Sequence, residues 1–159
     1  MDDLKQIVTE LNHSTYVSGN AENFITFFVG IYDFKTKSLE YINCGHNEIL
    51  LIPKDEELME LNDGTTVLGM FDPLPFIESK TVPDLSCFSL FMYTDGLTET
   101  FNENDEPFDI TRLVEVLENN EKASLSALHT ILLDELNEFK GAMPFGDDIT
   151  MLTCRVQNK

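Results

Sequence analysis

The spacing of the hydrophobic residues changes along this chain, and those changes limit the folds the chain can adopt. Between about residues 25 and 101, apolar residues form short runs rich in β-branched and aromatic side chains, such as residues 25–34 and 38–44, which are typical of strands. Near the N-terminus, and again from about residue 110 to residue 136, they recur at helical spacing. Strands through the middle with helices on either side favour an α+β fold, in which helices cover layered sheets.

Individual elements follow from the same patterns. The runs at residues 25–34 and 38–44 are predicted to pair antiparallel around a Lys35-Thr36-Lys37 loop. Further strands are predicted at residues 49–52, 58–61, 76–82 and 87–93. Helices are predicted at residues 4–11, 110–117 and 125–136, the last with Ser124 as its N-cap.

The last apolar run, residues 149–156, alternates too little for a half-exposed strand and is predicted to be a central, buried one. The strand at residues 87–93 is also predicted to belong to the core. The side chains expected in these core strands are Leu90, Met92, Ile149, Met151 and Cys154. The leucines expected to form one packed helix face are Leu125, Leu128, Leu132 and Leu136.

Length and charge limit the classes of function. A chain of 159 residues that is 42% hydrophobic fits one compact soluble domain. No apolar run approaches the roughly 18 residues of a membrane span, and the acidic N-terminus is unlike a signal peptide, so a cytoplasmic location is expected. With 29 acidic and 10 basic residues, the charge of -19 disfavours binding to nucleic acids and to anionic membranes. The charge fits either a solvated acidic surface or carboxylates neutralised by divalent cations.

The three cysteines suggest no zinc or redox chemistry. Cys44, Cys87 and Cys154 lie in apolar surroundings, are odd in number and show no CxxC spacing. We expect all three to be small buried residues in a reducing compartment.

Two acidic turns stand at the ends of predicted strands. Thr94-Asp95-Gly96 ends one strand, and Gly146-Asp147-Asp148 immediately precedes another. Each motif alone predicts no more than a turn or a solvated loop. If the two strands are antiparallel neighbours, however, the carboxylates converge, and their mutual repulsion favours a hard cation such as Mg²⁺ or Mn²⁺ between them.

These motifs, in their order along the chain, resemble those of the metal-dependent protein serine/threonine phosphatases (PPM family). The similarity extends over residues 4–156 and is greatest to the bacterial branch that contains the stage II sporulation and sigma-pathway phosphatases. The motifs that carry it are the strand at residues 27–33, Asn43-Cys44-Gly45-His46-Asn47, Val67-Leu68-Gly69, Tyr93-Thr94-Asp95-Gly96-Leu97-Thr98-Glu99 and Gly146-Asp147-Asp148-Ile149-Thr150.

The resemblance implies a PPM-type layered β-sandwich of mainly antiparallel strands, flanked by helices and carrying two Mn²⁺ or Mg²⁺ ions. It implies that Asp95 and Asp147 are metal ligands, that Asp148 is an additional ligand or supports them, and that the Gly96 backbone adjoins the metal. Two such ions, about 3.5 to 4 Å apart, would activate a water and neutralise the phosphoryl oxygens without a covalent enzyme intermediate.

Two motifs of the PPM family are missing from this sequence. The family completes its site with an earlier Gly-Asp pair and an Asp-x-Ser-Gly-His-Gly turn, and neither is found here; Ile42 stands where the bridging aspartate would be. The chain, residues 1–159, is therefore expected to be the C-terminal part of a phosphatase domain. His46 and Asn47 are expected to form a hydrogen-bonding turn rather than a metal site, and His13 and His129 to lie on the surface or on helix flanks.

The resemblance implies hydrolysis of phosphoserine or phosphothreonine on a regulatory protein of the anti-sigma-factor antagonist type, by the longer domain. The 159-residue chain alone is expected to be inactive. The alternative is a non-catalytic, phosphatase-like binding module in a signalling protein. Strands missing from the sheet would also leave an open edge, through which the chain could self-associate.

Overall fold

The structure, a computed structural model, describes residues 3–19, 23–54 and 56–157. The helices within these ranges are α1 (Leu4–Ser18), α2 (Asp109–Asn119) and α3 (Leu125–Lys140). The strands are β1 (Phe27–Asp33), β2 (Ser38–Cys44), β3 (Ile49–Pro53), β4 (Met59–Leu61), β5 (Gly64–Thr65), β6 (Lys80–Val82), β7 (Phe88–Tyr93) and β8 (Met151–Val156). The predicted α+β class is confirmed.

The strands form two sheets. In the first, the order is β1-β2-β5, and β6 also pairs with β2. The predicted hairpin is present, with β1 and β2 antiparallel from the Phe27 and Cys44 pair to the Asp33 and Ser38 pair. In the second sheet the order is β4-β3-β7-β8, so the two strands that bear the acidic turns are neighbours, which is the condition that convergence of those turns required.

The chain divides into two compact units, residues 1–90 with 154–159 and residues 91–153, and the division crosses β7 and β8. In the first unit, one face of α1 packs on the first sheet. The fully buried side chains of this cluster are Leu4, Val8, Ile42, Cys44 and Leu68. This burial follows from the amphipathic spacing of α1, most of whose polar residues lie on the opposite face. Asn12 is the buried exception, and its side chain donates to the Phe71 carbonyl at 2.9 Å.

The core of the second unit is built largely from leucines of the two C-terminal helices. Leu128, Leu132 and Leu136 are buried along one face of α3, and Leu125 is half-buried, so the predicted stripe is a packed helix face. The Ser124 hydroxyl accepts a hydrogen bond from the Ala127 amide at 3.2 Å, which confirms the predicted N-cap.

The predicted burial of the last strand is wrong. β8 lies at the end of its sheet order rather than in the centre, Leu152 is 55% exposed, and Cys154 is exposed. The other predicted core residues of these strands are only half-buried: Leu90, Met92, Ile149 and Met151. An apolar sequence shows what a strand can bury, whereas its position in the sheet decides how many neighbours it has.

Other predictions need smaller corrections. Cys44 is buried as expected, but Cys87 is only partly buried. The strand predicted at residues 76–82 is limited to Lys80–Val82, because the preceding segment is irregular up to residue 79. In the part of the chain that the structure describes, no helix has the length and apolar character needed to cross a membrane.

Candidate functional site

The first acidic turn begins where β7 ends at the buried Tyr93. The chain then coils tightly. The Leu97 amide donates to the Thr94 carbonyl at 3.0 Å, and the Glu99 amide donates to the Asp95 carbonyl at 2.8 Å. Leu97 is fully buried while Asp95 is exposed. The turn therefore anchors itself through its leucine and holds the carboxylate at the surface.

The segment that carries the second acidic turn lies directly beside the first. The Thr94 amide donates to the Thr150 carbonyl at 3.1 Å. The Thr94 hydroxyl donates to the Asp148 carbonyl at 3.1 Å and accepts from the Thr150 amide at 2.9 Å. One threonine side chain thus bridges the residues on both sides of Ile149, and this fixes the position of the segment that enters β8.

At Gly96 the backbones of the two turns pack closely against each other. A β-carbon at this residue would lie 2.6 Å from the Asp148 carbonyl oxygen and 3.4 Å from the Asp147 carbonyl carbon. Any side chain here would collide with backbone, which cannot rotate away as a flexible side chain can. Glycine at residue 96 is therefore a packing requirement, and it brings the backbones of the two acidic turns into contact.

Both aspartates that flank this contact are exposed and bound locally. Asp95 Oδ1 accepts from the Gly96 amide at 3.0 Å, and Asp147 Oδ1 accepts from the Asp148 amide at 2.7 Å. In the described ranges, the salt bridges join His13 to Asp72 and Lys80 to Asp63 and involve neither of these carboxylates. Each carboxylate is thus oriented through one oxygen by its own turn.

The buried Thr100 stabilises the first acidic turn through hydrogen bonds. Its side chain is 1% exposed, and its hydroxyl donates to the Gly96 carbonyl at 2.7 Å. The Thr100 carbonyl accepts in turn from the Phe108 amide at 2.8 Å. Threonine near a strand end is common, so the roles of Thr94 and Thr100 could not be predicted from the sequence and become clear only from their hydrogen-bond partners.

The carboxylates have the chemistry of a hard-cation site but do not form a complete one. Oxygen donors such as those of Asp95, Asp147 and Asp148 are what Mg²⁺ and Mn²⁺ prefer. Among the described residues, however, no three or more His, Cys, Asp or Glu side chains are grouped so that they could hold a metal ion. The donor type fits such an ion, whereas the number of donors is smaller than a closed site needs.

His46 and Asn47 form part of a turn in the first unit. The buried Asn43 accepts from the His46 amide at 2.8 Å through Oδ1 and donates to the Leu61 carbonyl at 3.1 Å. The Asn47 amide donates to His46 Nδ1 at 2.8 Å. Gly45, at φ 68°, supplies the left-handed residue that the turn needs.

The other two histidines have polar partners in their own units. His13 on α1 lies 2.6 Å from Asp72. His129 on α3 is 2.8 Å from the Thr153 hydroxyl and packs edge-on against Phe91. His13 is an exposed surface residue as predicted, whereas His129 is partly buried and its ring packs against the core residue Phe91.

Comparison with known proteins supports the fold. The chain is 30% identical over 135 residues to protein IcfG of Synechocystis sp., which covers 84% of this chain and 21% of IcfG. Among solved structures, the SiaA-PP2C domain of Pseudomonas aeruginosa matches 95% of this chain and 60% of its own, with a TM-score of 0.81 and 19% identity.

The phosphatase domain of SpoIIE from Bacillus subtilis, presoaked with Mn, matches 99% of this chain and 68% of its own, with a TM-score of 0.65 and 16% identity. The chain therefore spans about a fifth of its curated relative and 60% of the SiaA domain. A family model for stage II sporulation protein E matches residues 2–157. The chain belongs to the SpoIIE family.

Proposed function

We propose that this chain forms part of a protein phosphatase domain that hydrolyses phosphoserine or phosphothreonine, and that Asp95 and Asp147 are metal ligands of that domain. The observation that carries the proposal is the contact at Gly96, which packs the Asp95 turn against the Asp147–Asp148 backbone. The acidic turns are separated by about 50 residues in sequence. Their convergence at one edge of a sheet is what a shared cation requires.

Mn²⁺ or Mg²⁺ is the proposed cofactor. A bound divalent cation would supply positive charge that neutralises phosphoryl oxygens and would activate water for attack. In this chain Asp95 and Asp147 would bind the ion, Asp148 would add a ligand or support the others, and Gly96 would let the backbones approach. The solved SpoIIE domain presoaked with Mn supports this choice.

The proposed substrate is a phosphorylated regulatory protein of the anti-sigma-factor antagonist type. Membership of the SpoIIE family supports this class. The charge of the chain also favours a protein over a nucleic acid, since a net charge of -19 repels phosphate backbones. A single phosphorylated side chain carries only about two negative charges, and bound divalent ions can offset them.

The isolated 159-residue chain is expected to have little or no activity. Asp95, Asp147 and Asp148 provide part of a ligand set, and Mg²⁺ held by one or two carboxylates is bound weakly without a substrate phosphate. The test compares this chain with a protein extended to the full phosphatase domain. Hydrolysis of a phosphoserine peptide and of an aryl phosphate is measured with Mn²⁺ in excess.

Activity is expected only in the extended protein, and Asp95→Asn or Asp147→Asn should abolish it. Asp105→Asn is a matched control, because Asp105 is an exposed turn aspartate that lies at φ 63°, a conformation asparagine accepts well. Full activity in Asp95→Asn and Asp147→Asn would contradict the assignment. Robust turnover by the 159-residue chain would show that its own ligand set is sufficient.

The incomplete ligand group favours a second candidate, a non-catalytic module that binds a phosphoprotein partner. Such a module would bind the phosphorylated partner equally well with Mn²⁺ or with a chelator. A catalytic domain would instead release phosphate in the presence of Mn²⁺. Calorimetry of the extended protein under both conditions, followed by a phosphate assay, separates the two.

A further inference from the structure

The segment between α3 and Asp147 decides where the second acidic turn lies. We call residues 141–146 the exit loop. Every residue of the exit loop is exposed, and a β-carbon added at Gly146 would have no heavy atom within 4 Å. The Ala142 amide donates to Glu103 Oε1 at 3.3 Å. Apart from such single contacts, an exposed loop of this kind has little that could fix its conformation.

Lys140, the last residue of α3, holds the exit loop at several points. Its ammonium donates to the Met143 carbonyl at 2.9 Å and to the Gly141 carbonyl at 3.4 Å. It also lies 5.0 Å from the centre of the Phe145 ring. The Met143 amide donates back to the Lys140 carbonyl at 3.1 Å. One side chain therefore contacts the beginning, the middle and the end of the loop.

Lys140 is a rare basic residue in an acidic part of the chain. Residues 91–153 contain fourteen acidic residues and three basic ones, and no lysine or arginine other than Lys140 occurs between Lys122 and Arg155. A cation at the end of a helix also stabilises the helix dipole. That role, however, needs only a charge near the last carbonyls, whereas this ammonium is turned onto carbonyls and a ring beyond the helix.

We propose that Lys140 is a positioning residue, which folds the exit loop so that Asp147 meets the Asp95 turn. The other end of the connection is already fixed, because the Asp148 carbonyl accepts from the Thr94 hydroxyl at 3.1 Å. With Lys140 at one end and Thr94 at the other, the acidic turn is ordered before any cation binds. The consequence for metal binding rests on the proposed function.

Whether cation affinity rises or falls when Lys140 is replaced distinguishes a positioning role from a purely electrostatic one. If Lys140 acted only through its positive charge, its removal would strengthen cation binding to nearby carboxylates, because a like charge would be gone. If it acts by ordering the loop, its removal weakens cation binding, since the cation must then order the loop itself. Residues that orient metal ligands commonly change metal affinity by about 10- to 100-fold when mutated.

The experiment compares Lys140→Met with two further variants of the 159-residue chain. Lys122→Met is the matched control, because Lys122 is exposed in the α2–α3 connection and its loss changes the net charge equally. Lys140→Arg keeps a cation that can donate to carbonyls and stack on a ring. Mn²⁺ affinity is measured by electron paramagnetic resonance, and exchange of the Met143 amide is measured by NMR without metal.

Lys140→Met is expected to speed exchange of the Met143 amide and to weaken Mn²⁺ binding by about tenfold, while Lys140→Arg recovers most of both. Lys122→Met should change neither. Unchanged or stronger Mn²⁺ binding in Lys140→Met would overturn the proposal, as would equal effects of the two methionine variants. The exchange measurement needs no catalysis, so failure of the proposed phosphatase activity would leave the positioning role to be judged separately.

Discussion

Replacing Gly96 with alanine tests whether the close contact between the acidic turns holds the site together. The new β-carbon would lie 2.6 Å from the Asp148 carbonyl oxygen and 3.2 Å from its carbonyl carbon, and real β-carbons essentially never come within 3.0 Å of such atoms. Because the obstacle is backbone, one turn must move by at least about 0.4 Å, which is the difference between the 2.6 Å contact and the 3.0 Å minimum distance. Overpacking of this kind typically costs about 1 to 3 kcal/mol.

Gly146→Ala is the matched control. It makes the same chemical change in the same segment, but its β-carbon meets nothing within 4 Å and its φ is not left-handed. It should be neutral or stabilise the chain by about 0.4 to 1 kcal/mol, through lower entropy of the unfolded state. The two variants should therefore differ clearly in their free energy of unfolding.

The assay is urea denaturation followed by circular dichroism, with Mn²⁺ affinity measured on the same samples. Gly96→Ala should unfold at lower urea and bind Mn²⁺ more weakly, because the Asp147 turn is displaced from Asp95. Surface substitutions commonly change the free energy of unfolding by up to about 0.5 kcal/mol. If the two variants differ by no more than that, the contact does not constrain the turns, and the proposed sharing of a cation loses its support.

Three further predictions concern stability and reactivity. Thr100→Val should lower the free energy of unfolding by about 1 to 3 kcal/mol, because the buried Gly96 carbonyl loses its hydrogen-bond donor. Thr100→Ser keeps the hydroxyl and should cost less. Equal urea midpoints for Thr100→Val and the parent would contradict this prediction. Burial raises the pKa of the Cys44 thiol to about 11, so a thiol reagent at pH 8 should modify the exposed Cys154 in the folded chain and Cys44 only after unfolding. Mass spectrometry of digested peptides shows the order of labelling. Labelling of Cys44 before unfolding would contradict the prediction. The Lys80 ammonium bonded to Asp63 holds the pKa of that carboxyl below its usual 3.8. The ionised Asp63 therefore contributes its full stabilisation above pH 3.8 and loses it as the pH falls through the lowered pKa. In thermal melting, Asp63→Asn should lose less stability on acidification than the parent.

Local patterns in the sequence were sufficient for most elements and for the location of the acidic turns. The hairpin of β1 and β2, the Ser124 N-cap and the leucine face of α3 depend on residues close together in sequence, whose spacing matches the period of a strand or a helix. Asp95 and Asp147 were singled out in the same way, because each stands in turn chemistry at the end of an apolar run. From the sequence alone, the adjacency of β7 and β8 was only a hypothesis.

Tertiary structure decided how those pieces meet. β8 is as apolar as a central strand, yet it lies at the end of its sheet and exposes Leu152, because burial depends on which distant segments pair with a strand. The need for glycine at residue 96 arises from the Asp148 carbonyl, about 50 residues away, and the hold of Lys140 on the exit loop arises from how the chain bends after α3. Residues close together in sequence set the local conformation and the chemical type of the acidic groups. Only packing between segments far apart in the chain brings particular groups next to one another, because such contacts leave no period in the sequence.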